Sequence, residues 1–268
     1  MASSTIASLT PTVCGLFQIP PPTLSAEPAL DDIRQDARAV LGGTPIDRCL
    51  VYCPDALGEH LWSRYAAQAE TIGAVCPQRV HLASMHPPKT PVCYASVFSG
   101  APPEIHGIRH YERPVLAIDT LFDALIRAGR RAAIVAVKDS SIDVIFRGRA
   151  LDYFSEEYDA QAQERALALL AANEHDLIVV YHQEYDDQLH RTEPFSAECL
   201  AAMRRHVASL QALAAAARTA WRARPHAIVV APDHGAHLDP ATGRGDHGLD
   251  IPEDMEVSHW YGVFRGES

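Results

Sequence analysis

The segment APDHGAHLDPATGRGDHGLD, residues 231–250, contains the tripeptide Asp-His-Gly twice. The first copy, at Asp233 and His234, follows the apolar run HAIVV, and the second copy contains His247. Carboxylate and imidazole groups suit zinc or manganese, whereas calcium prefers oxygen ligands alone. Asp and Gly are also ordinary turn residues. This segment alone therefore leaves open whether it forms a metal site or a plain loop.

Two further strand-like runs end on the same kinds of side chain. LVYCPD ends on Asp55, and VVYHQEYDDQLH contains Asp186 with His190 four residues later. The carboxyl ends of parallel strands meet at one edge of an open α/β sheet, where such proteins bind ligands. Three Asp and three His at such an edge are more ligands than one tetrahedral ion takes, and they suit two ions. Two metal ions about 3.5–4 Å apart are the usual arrangement in enzymes that catalyse displacement at phosphorus. The alternative is that each residue only caps or turns the chain.

A candidate nucleophile lies in HPPKTPVCYASVFSG, residues 86–100. Thr90 follows a Pro-Pro-Lys turn and precedes a helix-like segment that stops at Gly100. A hydroxyl at a helix amino terminus lies near free N–H groups and the positive end of the helix dipole, which favour an alkoxide and a bound phosphoryl group. Metal coordination would activate the hydroxyl further. The spacing alone fits a simple helix N-cap equally well.

The elements around these residues alternate between strands and helices. Apolar, β-branched runs predict strands that are covered on both faces. These runs are residues 48–53, 132–137, 176–182 and 226–231. Helical patterns occupy residues 116–129, 162–173 and 196–223. This alternation predicts an α/β fold, a three-layer α/β/α sandwich with a mostly parallel central sheet. We expect residues 1–30 to form an irregular Pro-rich segment and residues 31–268 to form a single catalytic domain.

Composition limits the partners that the chain can have. Its 268 residues are 47% apolar, which is enough for one large core or two small ones. The net charge of −11, with no long run of Lys or Arg, argues against nucleic-acid binding. No Lys or Arg precedes Arg34 and no apolar run approaches a membrane span, so we expect a cytoplasmic protein with no membrane partner. The oligomeric state is left open.

Taken jointly, the motifs resemble the alkaline phosphatase superfamily, in its nucleotide pyrophosphatase/phosphodiesterase and phosphonoacetate hydrolase branches. KTPVCYASVFSGAPPEIHGI is similar to their nucleophile segment, and EYDDQLH is similar to their Asp-x-x-x-His metal segment. PDHG and GDHGLD resemble the Asp-His-Gly segment and the final His-Gly-x-Asp motif. The matches run in family order from residue 50 to 264. The resemblance implies an alkaline phosphatase-like fold.

The resemblance also implies a site with two divalent metal ions, usually zinc, with manganese as the alternative. One ion would be held by Asp186, His190 and His247. The other would be held by Asp55, Asp233, His234 and the oxygen of Thr90. Thr90 would attack phosphorus, and water would then hydrolyse the phosphothreonine. The implied activity is hydrolysis of phosphoric esters, most simply small-molecule diesters or phosphoanhydrides, so the expected partner is a small anionic phosphorylated substrate.

Three further residues are candidates for substrate contact. Lys89 adjoins the nucleophile, and Lys138 lies in a Lys-Asp turn that resembles one in phosphonoacetate hydrolases, although a solvated strand end fits it equally. Nucleotide-type members carry Asn at the position of Cys93, and a thiol is a poorer donor. The alternatives are therefore a phosphonate (C–P) hydrolase, a phosphomonoesterase using Lys89, Lys138, Arg147 or Arg149, or a noncatalytic metal- or phosphate-binding member of the superfamily.

Overall fold

A computed structural model describes residues 4–267 of the chain. Met1–Ser3 and Ser268, the outer ends of the predicted segments 1–30 and 31–268, lie outside the described residues. In chain order the strands are β1 (Arg48–Pro54), β2 (Gln78–Ala83), β3 (Ala132–Val137), β4 (Asp152–Glu156), β5 (Leu177–His182), β6 (His226–Val230), β7 (His237–Asp239), β8 (Arg244–Asp246) and β9 (Glu256–Phe264). The four strands predicted from apolar runs are confirmed to within one residue at each end.

Seven of these strands form one central sheet in the order β2-β9-β6-β1-β5-β3-β4. The neighbours from β6 to β4 pair in parallel, whereas β9 runs antiparallel to both β6 and β2. The strands β7 and β8 form a separate antiparallel hairpin. The prediction of a mostly parallel sheet is confirmed.

Helices cover both faces of the sheet. In chain order they are α1 (Leu9–Phe17), α2 (Asp31–Leu41), α3 (Glu59–Arg64), α4 (Ala66–Val75), α5 (Thr90–Ser99), α6 (Pro103–His106), α7 (Leu121–Arg127), α8 (Ser141–Ile145), α9 (Asp159–Ala172), α10 (Glu184–Arg191), α11 (Ala197–Ala220) and α12 (Pro252–Met255). One hydrophobic core packs α1, α2, α5, α7 and α8 against the sheet, and a second packs α3, α4, α9, α10 and α11. The predicted three-layer α/β/α sandwich is confirmed.

The irregular conformation predicted for residues 1–30 is wrong over residues 6–17. Residues 6–8 form a 3-10 turn that leads into α1, and both pack into the core. Pro11 lies in the first turn of α1, where its missing N–H costs no helical hydrogen bond, so it does not break the helix. The hydroxyl of Thr10 donates to the carbonyl of Val97 in α5 at 2.7 Å. The division of the chain into two segments stays a prediction.

Among the helices of residues 4–267, none combines the length and the apolar character that a membrane crossing requires.

Candidate metal centre

Parallel strands deliver the candidate ligands to one edge of the sheet. Pro54 at the end of β1 pairs in register with His182 at the end of β5, and the N–H of Asp55 donates to the His182 carbonyl at 2.9 Å. Asp233 follows β6, which pairs with β1 on the other side. Asp186 and His190 lie four residues apart on α10, so they share one face of that helix.

The first group of ligand-type atoms belongs to Asp186, His190 and His247. The His190 Nε2 and His247 Nε2 atoms lie 3.2 Å apart. Each of these nitrogens lies 3.5 Å from Asp186 Oδ1. Ligands about 2.0–2.2 Å from a tetrahedral zinc ion lie about 3.3–3.6 Å from one another. The three atoms are therefore spaced like three corners of a zinc site. The His190 side chain is 42% exposed, which leaves this group open to the cleft.

The second group belongs to Asp55, Asp233 and His234, all buried. His234 Nε2 lies 3.3 Å from Asp233 Oδ2 and 3.5 Å from Asp55 Oδ1. The Thr90 hydroxyl lies 3.4 Å from His234 Nε2 and 3.5 Å from Asp55 Oδ2. It therefore lies where a fourth ligand of the same spacing would lie.

Main-chain carbonyls determine which ring nitrogen carries the proton in the three histidines of these groups. His190 Nδ1 lies 3.2 Å from the Gly245 carbonyl and His247 Nδ1 lies 2.7 Å from the Pro88 carbonyl. His234 Nδ1 lies 3.0 Å from the Gly235 carbonyl. Each Nδ1 must carry a proton to donate to its carbonyl, so each neutral ring presents an Nε2 lone pair to its group. This is the tautomer that a metal ligand requires.

The carboxylates have no protein partners for their remaining oxygens. Asp55 Oδ1, Asp186 Oδ1 and Asp233 Oδ2 are buried and accept no hydrogen bond. Burial raises the pKa of Asp55 well above its ordinary value, and the charges of Asp233 and Asp186 raise it further. Burial also raises the pKa of Asp186 to about 7. Unpaired buried carboxylates are costly, and divalent cations would remove that cost. The residues present therefore fit two metal ions.

The two groups adjoin one another along a shared cleft. The rings of His234 and His247 stack with their centroids 4.0 Å apart. A cleft of about 340 Å³ contacts residues of both groups and Thr90. Lys138, Arg113 and Tyr111 line its outer part. The cleft thus combines the ligand groups, a hydroxyl and positively charged side chains.

Lys89 lines the cleft, but its ammonium group has a protein partner. Lys89 Nζ donates to the carbonyl of His247 and lies 3.7 Å from Asp246 Oδ1. Gly248 has φ +123°, and a Cβ there would lie 2.8 Å from Lys89 Nζ. The absence of a side chain at Gly248 therefore lets Lys89 reach the His247 backbone, and Lys89 connects His247 to the turn that precedes Thr90.

The structure does not bring every predicted substrate residue to the cleft. Cys93 is fully buried, and its sulfur lies 3.3 Å from Ser84 Oγ. Cys93 is therefore not among the residues that line the cleft, and its contact with a substrate stays a prediction. Arg149 pairs with Asp123 at 2.8 Å, and Arg147 pairs with Asp143, so neither arginine lines the cleft.

Sequence reasoning missed several residues that shape the site. The Tyr181 hydroxyl donates to Asp55 Oδ2. Tyr181 lies one residue before the end of a predicted strand, so its position at the sheet edge could have been inferred. Arg113 belongs to an irregular segment and had no such signal. Ala56, next to Asp55, has φ +61°, a left-handed conformation that is usually occupied by glycine. Its N–H lies 3.3 Å from Asp233 Oδ1.

A family model described as Type I phosphodiesterase / nucleotide pyrophosphatase matches residues 74–240. No curated protein sequence matches the chain significantly. Among solved structures, murine ectonucleotide pyrophosphatase / phosphodiesterase 5 has a TM-score of 0.58 at 17% identity, over 73% of this chain and 59% of that chain. The human counterpart has a TM-score of 0.56 at 16% identity, over 71% and 57%.

Phosphonoacetate hydrolase from Sinorhizobium meliloti 1021, in complex with phosphonoacetate, has a TM-score of 0.51 at 21% identity. The match covers 72% of this chain and 57% of that chain. The present chain therefore spans less than two thirds of the length of these proteins. At such identities the three structures establish a shared fold.

Proposed function

Because the chain belongs to the type I phosphodiesterase / nucleotide pyrophosphatase family, we propose that it is a two-metal hydrolase of phosphoric esters in which Thr90 is the nucleophile. The proposed substrates are small-molecule phosphodiesters or phosphoanhydrides. One observation carries this proposal: the ligand-type atoms of two adjoining groups lie 3.2–3.5 Å apart, with the Thr90 hydroxyl completing one group. The same residues follow the order of motifs in the alkaline phosphatase superfamily.

The two ions would lower the pKa of the Thr90 hydroxyl and neutralise charge on the phosphoryl oxygens. Thr90 is the first residue of the ten-residue helix α5, so a phosphoryl group transferred to it would lie at the positive end of the helix dipole. Attack by the Thr90 oxygen would form an O–P bond as the alcohol or phosphate leaves. Water would then cleave that phosphothreonine and release a phosphate monoester.

Zinc is the proposed metal, and manganese is the alternative. Two imidazoles and one carboxylate in the first group, and two carboxylates, one imidazole and a hydroxyl in the second, are mixed nitrogen and oxygen donors that suit these ions. Calcium would require more oxygen ligands than either group offers.

A small anionic phosphorylated molecule is the proposed partner. An inactive Thr-to-Ala variant of the murine relative was solved in complex with AMP, and the Sinorhizobium meliloti relative was solved with phosphonoacetate. Lys138 and Arg113 line the cleft beside Asp139 and Asp187, and they are the proposed contacts for the negative charge of such a molecule once the ions are bound. The six cysteines are all buried and unpaired, which fits a reducing compartment, and we propose a cytoplasmic location on that basis.

A phosphonate (C–P) hydrolase is the second candidate. Lys138 lines the cleft, and its Lys-Asp turn resembles one in phosphonoacetate hydrolases. The buried thiol of Cys93 offers no substitute for the Asn of nucleotide-type members. Both observations favour a substrate that is not a nucleotide.

The deciding experiment compares bis-p-nitrophenyl phosphate with p-nitrophenyl phosphate as substrates of the zinc-loaded protein. Thr90→Ala should retain both ions and lose turnover, whereas the matched variant Thr90→Ser should retain part of it because a hydroxyl remains. Preference for the diester supports the phosphodiesterase proposal, and preference for the monoester favours a phosphatase. Release of phosphate from phosphonoacetate alone would favour the second candidate. Full turnover by Thr90→Ala would contradict the proposed nucleophile, and two bound ions without any turnover would favour a noncatalytic member.

A further inference from the structure

A third group of buried acidic and histidine side chains surrounds the amino terminus of α10. It consists of Asp159, His182 and His206, whose ligand-type atoms all lie within 4.8 Å of one another. Its composition resembles that of the two proposed metal groups. The hydrogen bonds of its members decide whether it could hold a third ion.

Backbone N–H groups already donate to two members of this group, Asp159 and His206. Asp159 Oδ1 accepts the N–H of Gln183 at 2.9 Å, and its Oδ2 accepts the N–H of Glu184 at 3.0 Å. His206 Nε2 accepts the N–H of Tyr185 at 3.1 Å. A neutral His206 must then carry its proton on Nδ1, which lies 3.0 Å from the hydroxyl of Tyr52. Neither nitrogen of His206 therefore has a lone pair for a metal ion, unlike the histidines of the two proposed metal groups.

These bonds provide acceptors for the backbone N–H groups at the start of α10. The first N–H groups of an α-helix have no partner within the helix and need acceptors from elsewhere. The acceptors for α10 come from two other helices, because Asp159 begins α9 and His206 lies in α11. A carboxylate at this end also interacts favourably with the helix dipole. The position and direction of α10 therefore depend on Asp159 and His206.

The same group connects α10 to the strand that precedes Asp55. Tyr52 lies on β1, three residues before Asp55, and its hydroxyl lies 3.0 Å from His182 Nδ1 as well as from His206 Nδ1. Because His206 Nδ1 donates to the Tyr52 oxygen, the Tyr52 hydroxyl donates to His182. This chain of bonds sets α10 relative to the strand end that carries a ligand of the second group.

We propose that Asp159 and His206 are positioning residues for the metal centre, which hold the start of α10 so that Asp186 and His190 stay at ligand distance from His247. This inference rests on the proposed two-metal site. The group itself binds no metal ion.

The test is a competition titration of zinc against a chromophoric chelator, with the ions counted by atomic emission. The His190→Ala variant identifies the step that belongs to the Asp186, His190 and His247 group. Asp159→Asn keeps the size of the side chain but turns an amide N–H towards a backbone N–H. We expect it to weaken zinc binding in that step by about tenfold, while the step of the Asp55, Asp233 and His234 group is unchanged.

Asp123→Asn is the matched control. Thr120 and Asp123 form a capping box at the start of α7, a helix that carries none of the proposed ligands. We expect this variant to lower the melting temperature and to leave both zinc affinities unchanged. His206→Gln can still accept from Tyr185 and donate to Tyr52, so we expect it to bind zinc more tightly than His206→Phe. This pair carries the test should Asp159→Asn fail to fold.

The outcomes separate the inference from the function on which it rests. Two ions in the wild type and wild-type affinities in Asp159→Asn and His206→Phe would overturn the positioning role alone. A third ion that disappears in these variants would overturn it in favour of a metal site. No bound zinc in the wild type would overturn the metal centre, and the positioning role with it.

Discussion

Replacing Asp233 by Asn should change the stability of the protein in opposite directions with and without metal ions. Asp233 is fully buried, and its Oδ2 atom has no hydrogen-bond partner. Its ligand-type oxygen lies within 4.8 Å of that of Asp55. Without ions the two carboxylates repel each other, so the neutral amide should stabilise the protein. With ions the same substitution removes an anionic ligand.

The size of the effect follows from the separation of the charges. Two unit charges about 4.8 Å apart interact by roughly 3.5 kcal/mol at an effective dielectric constant of about 20. The raised pKa of Asp55 relieves part of this repulsion by protonation. We therefore expect a gain of about 1–3 kcal/mol, which corresponds to a rise of roughly 2–10 °C in melting temperature. Zinc at about one hundred times its dissociation constant stabilises the wild type by about 2.7 kcal/mol per site, and Asp233→Asn should lose most of this term.

The assay is thermal unfolding in EDTA and in zinc, with Asp254→Asn as the matched control. Asp254 is as fully buried as Asp233, but its Oδ1 bonds to His237 at 2.8 Å and its Oδ2 accepts the N–H groups of Gly248 and Leu249 at 2.8 and 2.9 Å. Asp254→Asn should therefore reduce the free energy of unfolding by about 1–3 kcal/mol and lower the melting temperature under both conditions. If Asp233→Asn lowers the melting temperature in EDTA as much as Asp254→Asn does, the electrostatic reasoning is refuted.

Two further substitutions test the supports of individual ligands. Gly248→Ala should lower the free energy of unfolding in urea by about 1–3 kcal/mol and weaken zinc binding at His247. Residue 248 has a φ of +123°, and the new methyl group would crowd Lys89. An unchanged unfolding midpoint would contradict this crowding. Tyr181→Phe removes the hydrogen bond to Asp55 and should weaken zinc binding by about tenfold in the step assigned to Asp55, as measured by competition titration. Wild-type affinity in that variant would show that the phenol does not orient Asp55.

The convergence of the candidate ligands at one edge of the sheet could be predicted from the sequence because it depends on strand ends. Asp55, Asp186 and Asp233 follow apolar, β-branched runs, and parallel pairing brings the ends of such runs to one edge of the sheet. The helix that begins at Thr90 could be predicted for a similar reason, since its Pro-rich start and its terminal Gly100 are local signals. Both inferences use information within a few residues of the site.

Other parts of the site depend on contacts between distant segments. Cys93 lies three residues after Thr90, but its thiol is buried against Ser84, whose hydroxyl donates to the Asp233 carbonyl 149 residues away in the chain. The partner of Lys89 is a carbonyl 158 residues away in the chain. The spacing of residues in the sequence does not predict contacts of this kind.

The edge strand β2 could not be predicted for a different reason. It exposes Arg79 and His81 between less exposed neighbours, so it lacks the continuous apolar run that marks the central strands. It forms because β9 provides a partner for its backbone hydrogen bonds. The helix α1 was obscured by the prolines near it, although its own apolar residues pack into the core.

The carbonyl partners of the three histidines have a consequence for how the site tolerates sequence change. The acceptors belong to the main chain of Pro88, Gly235 and Gly245, and no side-chain replacement can delete a carbonyl oxygen. In a saturation library, loss of zinc should therefore map to the proposed ligands, to the positioning residues Asp159 and His206, and to positions where a new side chain would displace the backbone. Polar neighbours of the imidazoles should accept most substitutions. Asp55 is the exception, because its orientation depends on the removable hydroxyl of Tyr181.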